Sequence, residues 1–298
     1  MGLILAPEDG VVLNGEPLSR HTTWRIGGPA RAYCRVQTEK GLSAVLEVAA
    51  QSREPLALLG MGSNVLVSDE GFPGFVVRLD GEFLAVAIDG TRVRAGGGAA
   101  LGAVCAAAAR AGLSGLEAIS GIPSSIGGAV RINAGAYGSE IFQVLESVRL
   151  VSREGQARTA AAADIAHGYR TSGLIETKEI VVWAVLALTP APREEIEAKT
   201  RTVAEKRRGA LPSEPNAGSV FRNPSGDYAG RLIESCGLKG TRRGGALISE
   251  RHANVIVNAG GAMAVDVLFL MKEMRDRVRE QFGVTLVPEV ELLGIKWD

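Results

Sequence analysis

Two glycine-rich stretches constrain this chain more than any other feature: Leu59-Gly60-Met61-Gly62-Ser63-Asn64 and Ser120-Gly121-Ile122-Pro123-Ser124-Ser125-Ile126-Gly127-Gly128. The first follows directly on the apolar, strand-like run Leu56–Leu59. Glycines there permit positive φ and close approach of a ligand, so bare backbone N–H groups can surround a diphosphate. The second stretch is too apolar for a flexible linker and too glycine-rich for a helix. Together they predict a chain wrapped round a large, flat, phosphorylated cofactor.

The 298 residues allow about two domains and a substantial core. Lys+Arg and Asp+Glu balance at 33 each, so no global field favours nucleic acid or an anionic membrane. The opening Met1–Asp9 lacks a basic start and a long apolar stretch, and no run approaches the ~20 apolar residues of a spanning helix. Cys34, Cys105 and Cys236 are odd in number and far apart, which points to free thiols in a reducing cytoplasm. His21, His167 and His252 are equally scattered, so no metal site is expected.

Elements alternate along the chain. Thr38 is placed to cap a helix with Leu42, Val45, Leu46 and Ala49 on its apolar face. Phe75–Leu79 reads as a strand, and Phe83–Ile88, Asp89-Gly90 and Thr91–Ala95 read as a hairpin. Ala100–Ala111 is helical. A second hairpin runs through Ser147–Arg153, Glu154-Gly155 and Gln156–Thr159, and Ile180–Leu188 is the longest apolar strand. After Pro190-Ala191-Pro192 the charged Arg193–Arg208 reads as a connecting helix, which sets a boundary near residues 190–208. Beyond it lie a helix with Val267, Met271, Met274, Val278 and Phe282 on one stripe and a strand over Thr285–Leu293.

Several familiar constellations are missing. No Gly-x-Gly-x-x-Gly opens a helix, and no Gly-Lys-Ser/Thr phosphate loop, His-Glu-x-x-His, Cys-x-x-Cys or Gly-x-Ser-x-Gly occurs. A Rossmann dehydrogenase, nucleotide triphosphatase, zinc hydrolase, dithiol redox protein and α/β-hydrolase are disfavoured accordingly.

The remaining motifs form an ordered set. They are Thr23-Trp24-Arg25-Ile26-Gly27-Gly28-Pro29-Ala30, Leu59–Leu66, Ser120–Gly138, Tyr169-Arg170-Thr171-Ser172, Ala217-Gly218-Ser219-Val220-Phe221-Arg222-Asn223-Pro224, Ala229–Glu234 and Val287-Pro288-Glu289-Val290. In this order and spacing, from about Leu18 to Gly294, the chain resembles the UDP-N-acetylenolpyruvoylglucosamine reductases, in the compact subtype that lacks an inserted substrate loop. The resemblance implies an α+β fold: a two-lobed FAD-binding module of the vanillyl-alcohol-oxidase (PCMH) type plus a smaller C-terminal α+β substrate domain. The expected division is 1–195, with lobes of about 1–68 and 69–195, and 196–298 including the linker helix. It also implies NADPH-dependent reduction of UDP-N-acetylglucosamine enolpyruvate to UDP-N-acetylmuramate with non-covalent FAD, in cytoplasmic peptidoglycan synthesis. No membrane, nucleic-acid or obligate protein partner is expected.

Such a reaction needs a fixed cation, a proton donor and a hydride source. Read from the residues alone, Arg170 is as well a surface ion pair and Ser219 a turn serine. At the positions the family uses, Arg170 is expected to hold the carboxylate with its planar fork, Ser219 to give the proton and Glu289 to partner the carboxylate or the intermediate. Burial raises the pKa of such a glutamic acid and a nearby cation lowers it, so its protonation is open in the sequence. Along one strand Glu289 and Glu291 would share a face.

Expected cofactor contacts are Arg25 from the N-terminal motif; Gly60, Gly62, Ser63, Asn64, Val65 and Leu66 at the pyrophosphate; and Gly121, Ile122, Pro123, Ser125, Ile126, Gly127, Gly128, Asn133 and Gly135 along the rest. Met61 and Ser124 stand where the family usually has glycine. Tyr169, Asn223, His252, Arg207 and Arg208 are expected at the substrate; Arg207 and Arg208 lie in a charge run that is otherwise a solvated face. Two other readings compete. A flavin oxidase of alcohols or sugars would not need the Ser219 and Glu289 loops, and a nucleotide-sugar-binding protein without catalysis would not need flavin.

Overall fold

The computed structural model describes residues 3–297. It separates into two compact units. One comprises the chain up to Asn14, Ala32–Met61 and Gly74–Arg207; the other comprises Gly15–Arg31, Gly62–Pro73 and the chain from Arg208 on. The division therefore differs from a single boundary near 190–208, since two N-terminal segments belong with the C-terminal one. The cause is burial. Trp24 is fully buried and its indole N–H donates to the Ile256 carbonyl at 2.7 Å. Leu66, also fully buried, joins the same core as Phe221, Met271 and Val290.

The first unit is built on a five-stranded antiparallel sheet in the order Ala157–Ala161, Leu145–Val151, Ile180–Ala187, Arg92–Gly96, Val86–Asp89. Its central strand is apolar throughout because both faces are covered. Val181, Ala184 and Leu186 pack with the helices Leu101–Arg110 and Ile126–Arg131. Ile180 and Val182 pack on the other side with Val45, Phe75, Val77 and Leu79. The latter side belongs to a second sheet, in the order Gly10–Pro17, Pro29–Val36, Phe72–Leu79, Leu56–Leu58, whose last two strands run parallel. The helix Glu39–Ser52 covers it, and Thr38 caps that helix as expected, its hydroxyl accepting from the Gly41 N–H at 3.0 Å. One expectation fails locally. Phe83 and Leu84 do not extend a strand but lie in a 3-10 turn, Gly81–Leu84, because Asp80 turns its carboxylate onto the Gly81 N–H.

The second unit holds a four-stranded antiparallel sheet in the order Asn216–Ser219, Val255–Asn258, Ala246–Ile248, Arg242–Arg243. The helix Ala264–Phe282 buries Val267, Leu270, Met271, Met274 and Val278 in this unit's core. Its first amides are satisfied from Gly62–Pro73: Asp69 accepts from Ala264 N at 2.7 Å and from Val265 N at 3.1 Å, where a carboxylate also meets the positive end of the helix. Strand Val65–Val67 pairs in parallel with Glu291–Leu293. No helix among the described residues is long and apolar enough to cross a membrane.

Candidate active site

The two glycine stretches meet. A Cβ on Gly60 would stand 2.6 Å from the Ser125 hydroxyl oxygen, so a side chain there would displace that hydroxyl. Among the described residues the N–H groups of Gly60, Met61 and Gly62 enter no hydrogen bond within the protein. Gly62 adopts φ +63, and a side chain on it would overlap the His21 carbonyl; the Thr23 N–H donates to the Gly62 carbonyl at 3.0 Å. This turn, with bare amides and little room for a side chain at residues 60 and 62, fits a diphosphate.

The second stretch uses its amides differently. Ile122 N, Ser124 N, Ile126 N and Gly127 N donate to the carbonyls of Ile119, Ile122, Ala99 and Gly97, and Gly128 N donates to the Ser125 hydroxyl. These glycines let the chain pack against the Gly97 backbone, with no amides of residues 126–128 left for phosphate. The side chains of Val65, Leu66 and Ile126 are core, and Asn133 is fully buried at φ +46. Their expected cofactor contacts are not made by side chains turned to solvent. Gly135 is likewise buried, packed on Ser139 and Glu140.

Arg170 sits in the two-residue turn of a small hairpin, His167–Gly168 paired with Thr171–Ser172. Its φ is +57, a conformation costly for a residue with a Cβ. Its guanidinium lies 4.9 Å from the centroid of the half-exposed Tyr169 ring. Ser172, buried, donates to the Arg131 carbonyl at 2.6 Å, and His167 stacks on Phe142 with centroids 4.2 Å apart.

In the second unit Ser219 and Glu289 are brought onto adjoining backbone. Asn216 pairs with Val257 and Ser219 with Val255, so the Ser219 strand carries one extra residue. Gly218 takes up that bulge at φ +72, which bends the strand and re-aims the next side chain. One edge of the segment is tied by Asn254, buried, whose side chain both accepts from the Phe221 N–H (3.0 Å) and donates to its carbonyl (2.8 Å). The other edge is the Glu289 segment: Glu289 N donates to the Val220 carbonyl at 2.8 Å and Arg222 N to that of Val287 at 2.9 Å. The regular strand expected over Thr285–Leu293 is confined to Glu291–Leu293, with Pro288 in an isolated bridge to Phe221. Pro288 has no N–H to continue a ladder. Alternation therefore does not govern Glu289 and Glu291; Glu291 is exposed and its N–H donates to the Asn64 carbonyl, while Glu289 is half-buried.

The remaining candidates have particular settings. The Asn223 side-chain oxygen accepts from Ala229 N at 3.0 Å and so starts the helix Ala229–Ser235. His252 lies against Gly230, and burial, aided by the Lys239 charge, depresses its pKa. Its Nδ1 accepts from Asn254 N at 3.2 Å, which leaves the proton of the neutral ring on Nε2. His252 is thus suited to donate one hydrogen bond, not to supply positive charge. Arg207 runs across Gly121, whose Cβ would stand 2.9 Å from the Arg207 Cδ, so its stem packs on the expected cofactor loop. Arg208 is exposed and its carbonyl accepts from Arg251. Arg25 is exposed at φ +57. Burial pushes the Cys34 and Cys105 thiols up to about 12, and no cluster of metal-ligating residues occurs among the described residues. The sequence reading missed Thr23 and Asn254. Thr23 donates to the Asn216 carbonyl at 2.6 Å and joins the start of the Ser219 strand to Gly62.

Comparison with known proteins identifies the family. A family model described as the C-terminal domain of UDP-N-acetylenolpyruvoylglucosamine reductase matches residues 211–293, and an FAD binding domain model matches residues 30–161. The chain is 46% identical to UDP-N-acetylenolpyruvoylglucosamine reductase 2 of Symbiobacterium thermophilum, over 96% of this chain and 94% of that protein. It is 42% identical to the reductase of Carboxydothermus hydrogenoformans, over 95% and 94%. The crystal structure of the Thermus caldophilus reductase superposes with a TM-score of 0.82 at 40% identity, covering 95% of this chain and 98% of that one.

Proposed function

Because this chain belongs to the UDP-N-acetylenolpyruvoylglucosamine reductase family, we propose that Arg170, Ser219 and Glu289 perform its reaction, reduction of the enolpyruvyl ether of UDP-N-acetylglucosamine to the lactyl ether of UDP-N-acetylmuramate. FAD, reduced by NADPH, supplies the hydride that no side chain can. The turn Gly60–Ser63 would hold its diphosphate, with Gly121 and Ser125 alongside. Most cofactor contacts are assigned to residues 1–195 and most substrate contacts to 196–298, with Tyr169 and Arg170 as substrate residues of the former. The reaction belongs to the cytoplasm and supplies cell-wall precursor, on which cell shape and division depend.

The substrate double bond is electron-rich because the ether oxygen donates into it. Addition of hydride at its terminal carbon leaves negative charge on the adjacent carbon, shared with the carboxylate as an enediolate. Arg170 binds the carboxylate before the reaction and the enediolate more tightly during it; a preorganised donor of this kind lowers a barrier by about 3 kcal/mol. Ser219 gives its proton to the carbanion-like carbon, which is basic enough to take it, and the ether is then saturated. Glu289 partners the same enediolate or the carboxylate. Tyr169, Asn223, the His252 Nε2–H, Arg207 and Arg208 are assigned to the remainder of the UDP-sugar.

The observation that carries this reading is the hydrogen bond from Glu289 N to the Val220 carbonyl, which sets the acid and the hydroxyl on neighbouring backbone. The test is anaerobic spectroscopy of the yellow protein. NADPH should bleach the flavin band and the enolpyruvyl substrate should restore it. Bleaching by an alcohol or sugar instead, or no recovery with the substrate, would overturn it.

A further inference from the structure

We propose that Asn133 is a positioning residue for Arg170. The proposal rests on the reading of Arg170 as the anchor of the substrate carboxylate. Asn133 is fully buried, yet all of its side-chain polar groups are engaged: Nδ2 donates to the Glu140 carboxylate at 2.7 Å and to the Gly168 carbonyl at 3.0 Å, and Oδ1 accepts from Phe142 N at 3.3 Å. A buried amide with every partner satisfied specifies one geometry, since any shift of a partner leaves a polar group unpaired.

What that geometry fixes is the foot of the Arg170 hairpin. Gly168 pairs with Thr171 directly across the two-residue turn, so the carbonyl that Asn133 grips is two residues before Arg170. The opposite strand is gripped by the Ser172 hydroxyl on the Arg131 carbonyl. Both grips come from residues at the end of one short helix, Ile126–Arg131, which packs on the central sheet strand in the unit's core: the Arg131 carbonyl and the Asn133 side chain. The hairpin has only two residues in each strand, too few to hold Arg170 at φ +57 by its own ladder. The strained turn is stable only when its feet are over-determined from outside. Asn133 itself occupies the left-handed region, which asparagine tolerates better than other side chains and which turns its amide back into the core. Residues Glu140, Phe142 and Gly168 converge on it from two separate loops.

A double-mutant cycle in the two half-reactions tests this. Asn133→Gly keeps the left-handed backbone and deletes the amide; Asn133→Asp keeps the shape and the Phe142 acceptor but loses the donor. Each variant should bleach with NADPH within about twofold of the parent, while reoxidation by the enolpyruvyl substrate slows by 10- to 100-fold, the scale of a small misplacement at a reacting centre. In an Arg170→Ala background the same substitutions should add less than about twofold, because nothing remains to be positioned. Equal slowing of both half-reactions, an undiminished effect in the Arg170→Ala background, or failure of both variants to fold would overturn the proposal and leave Asn133 as a stability residue. If Arg170→Ala alone leaves reoxidation intact, it is the role of Arg170 that falls.

Discussion

Asn64 and Glu289 are joined across 225 residues by one hydrogen bond, from the Asn64 side-chain amide to the Glu289 carbonyl at 3.1 Å. The Asn64 carbonyl in turn accepts from Glu291 N at 3.0 Å. Asn64 therefore spends its side chain on the acid's backbone, although its place in a glycine turn points to the cofactor. Asn64→Asp, which keeps the size and removes the donor, should retain FAD with affinity within about threefold. Turnover should fall between about tenfold and 100-fold. Loss of FAD comparable to that caused by Gly60→Ala, measured by flavin release on dilution, would return Asn64 to the cofactor.

Ser219→Ala should leave bleaching by NADPH nearly intact and slow reoxidation by substrate by at least about 100-fold, the usual scale for a positioned proton donor. Stopped-flow absorbance of the flavin separates the two steps. Equal losses in both would remove the hydroxyl from its role.

Gly62 and Gly218 both have positive φ, but their surroundings differ. A Cβ on Gly62 would overlap the His21 carbonyl, whereas one on Gly218 meets nothing within 4 Å. Gly218→Ala should cost only the backbone term, about 1–2 kcal/mol in urea unfolding. Gly62→Ala should cost more and should also release FAD. Equal stabilities for the two variants would contradict the close approach seen at His21.

Arg170 stores strain at φ +57 that glycine would not carry. Arg170→Gly should therefore match or raise the stability of the protein, by up to about 1 kcal/mol, while slowing substrate reoxidation by at least about 100-fold. A clear loss of stability would show that the guanidinium contributes more to the fold through Tyr169 than the turn costs.

Burial and the nearby Lys239 hold the His252 pKa below its ordinary 6.5. Below about pH 6.5 the unfolded imidazole takes up a proton that the folded one refuses, so its contribution to stability falls as pH drops through the folded value. Comparing urea midpoints at pH 7.5 and 5.5, His252→Gln should show a smaller difference than the parent. An unchanged or larger difference would place the pH dependence elsewhere.

Much of this was legible from residue patterns. Thr38 caps its helix, the stripe from Val267 to Val278 is buried, and the long apolar run at Ile180 is the centre of its sheet. These depend on periodicity and local capping, which a sequence displays directly. Less visible were pairings between distant segments. Nothing local at Asn254 reports that its amide grips Phe221, nor at Asn133 that its amide faces inward. The glycines at 127 and 128 read as cofactor contacts because a glycine's sequence context does not say whether its N–H faces a ligand or the protein's own backbone. Glu289 reads as part of a strand because Val287 and Val290 flank it, while the missing proline N–H and the pairing with Phe221 interrupt the ladder.

The buried indole of Trp24 has a consequence for biosynthesis. Its acceptor, Ile256, emerges from the ribosome 232 residues later, so a large aromatic side chain must wait for its pocket until that distant strand has been made. A fragment beginning near Leu211 would lack that anchor and the strand at Val65, and would leave an apolar hollow open to water. The gene segment that encodes the tail of this protein is, in this sense, not a portable module.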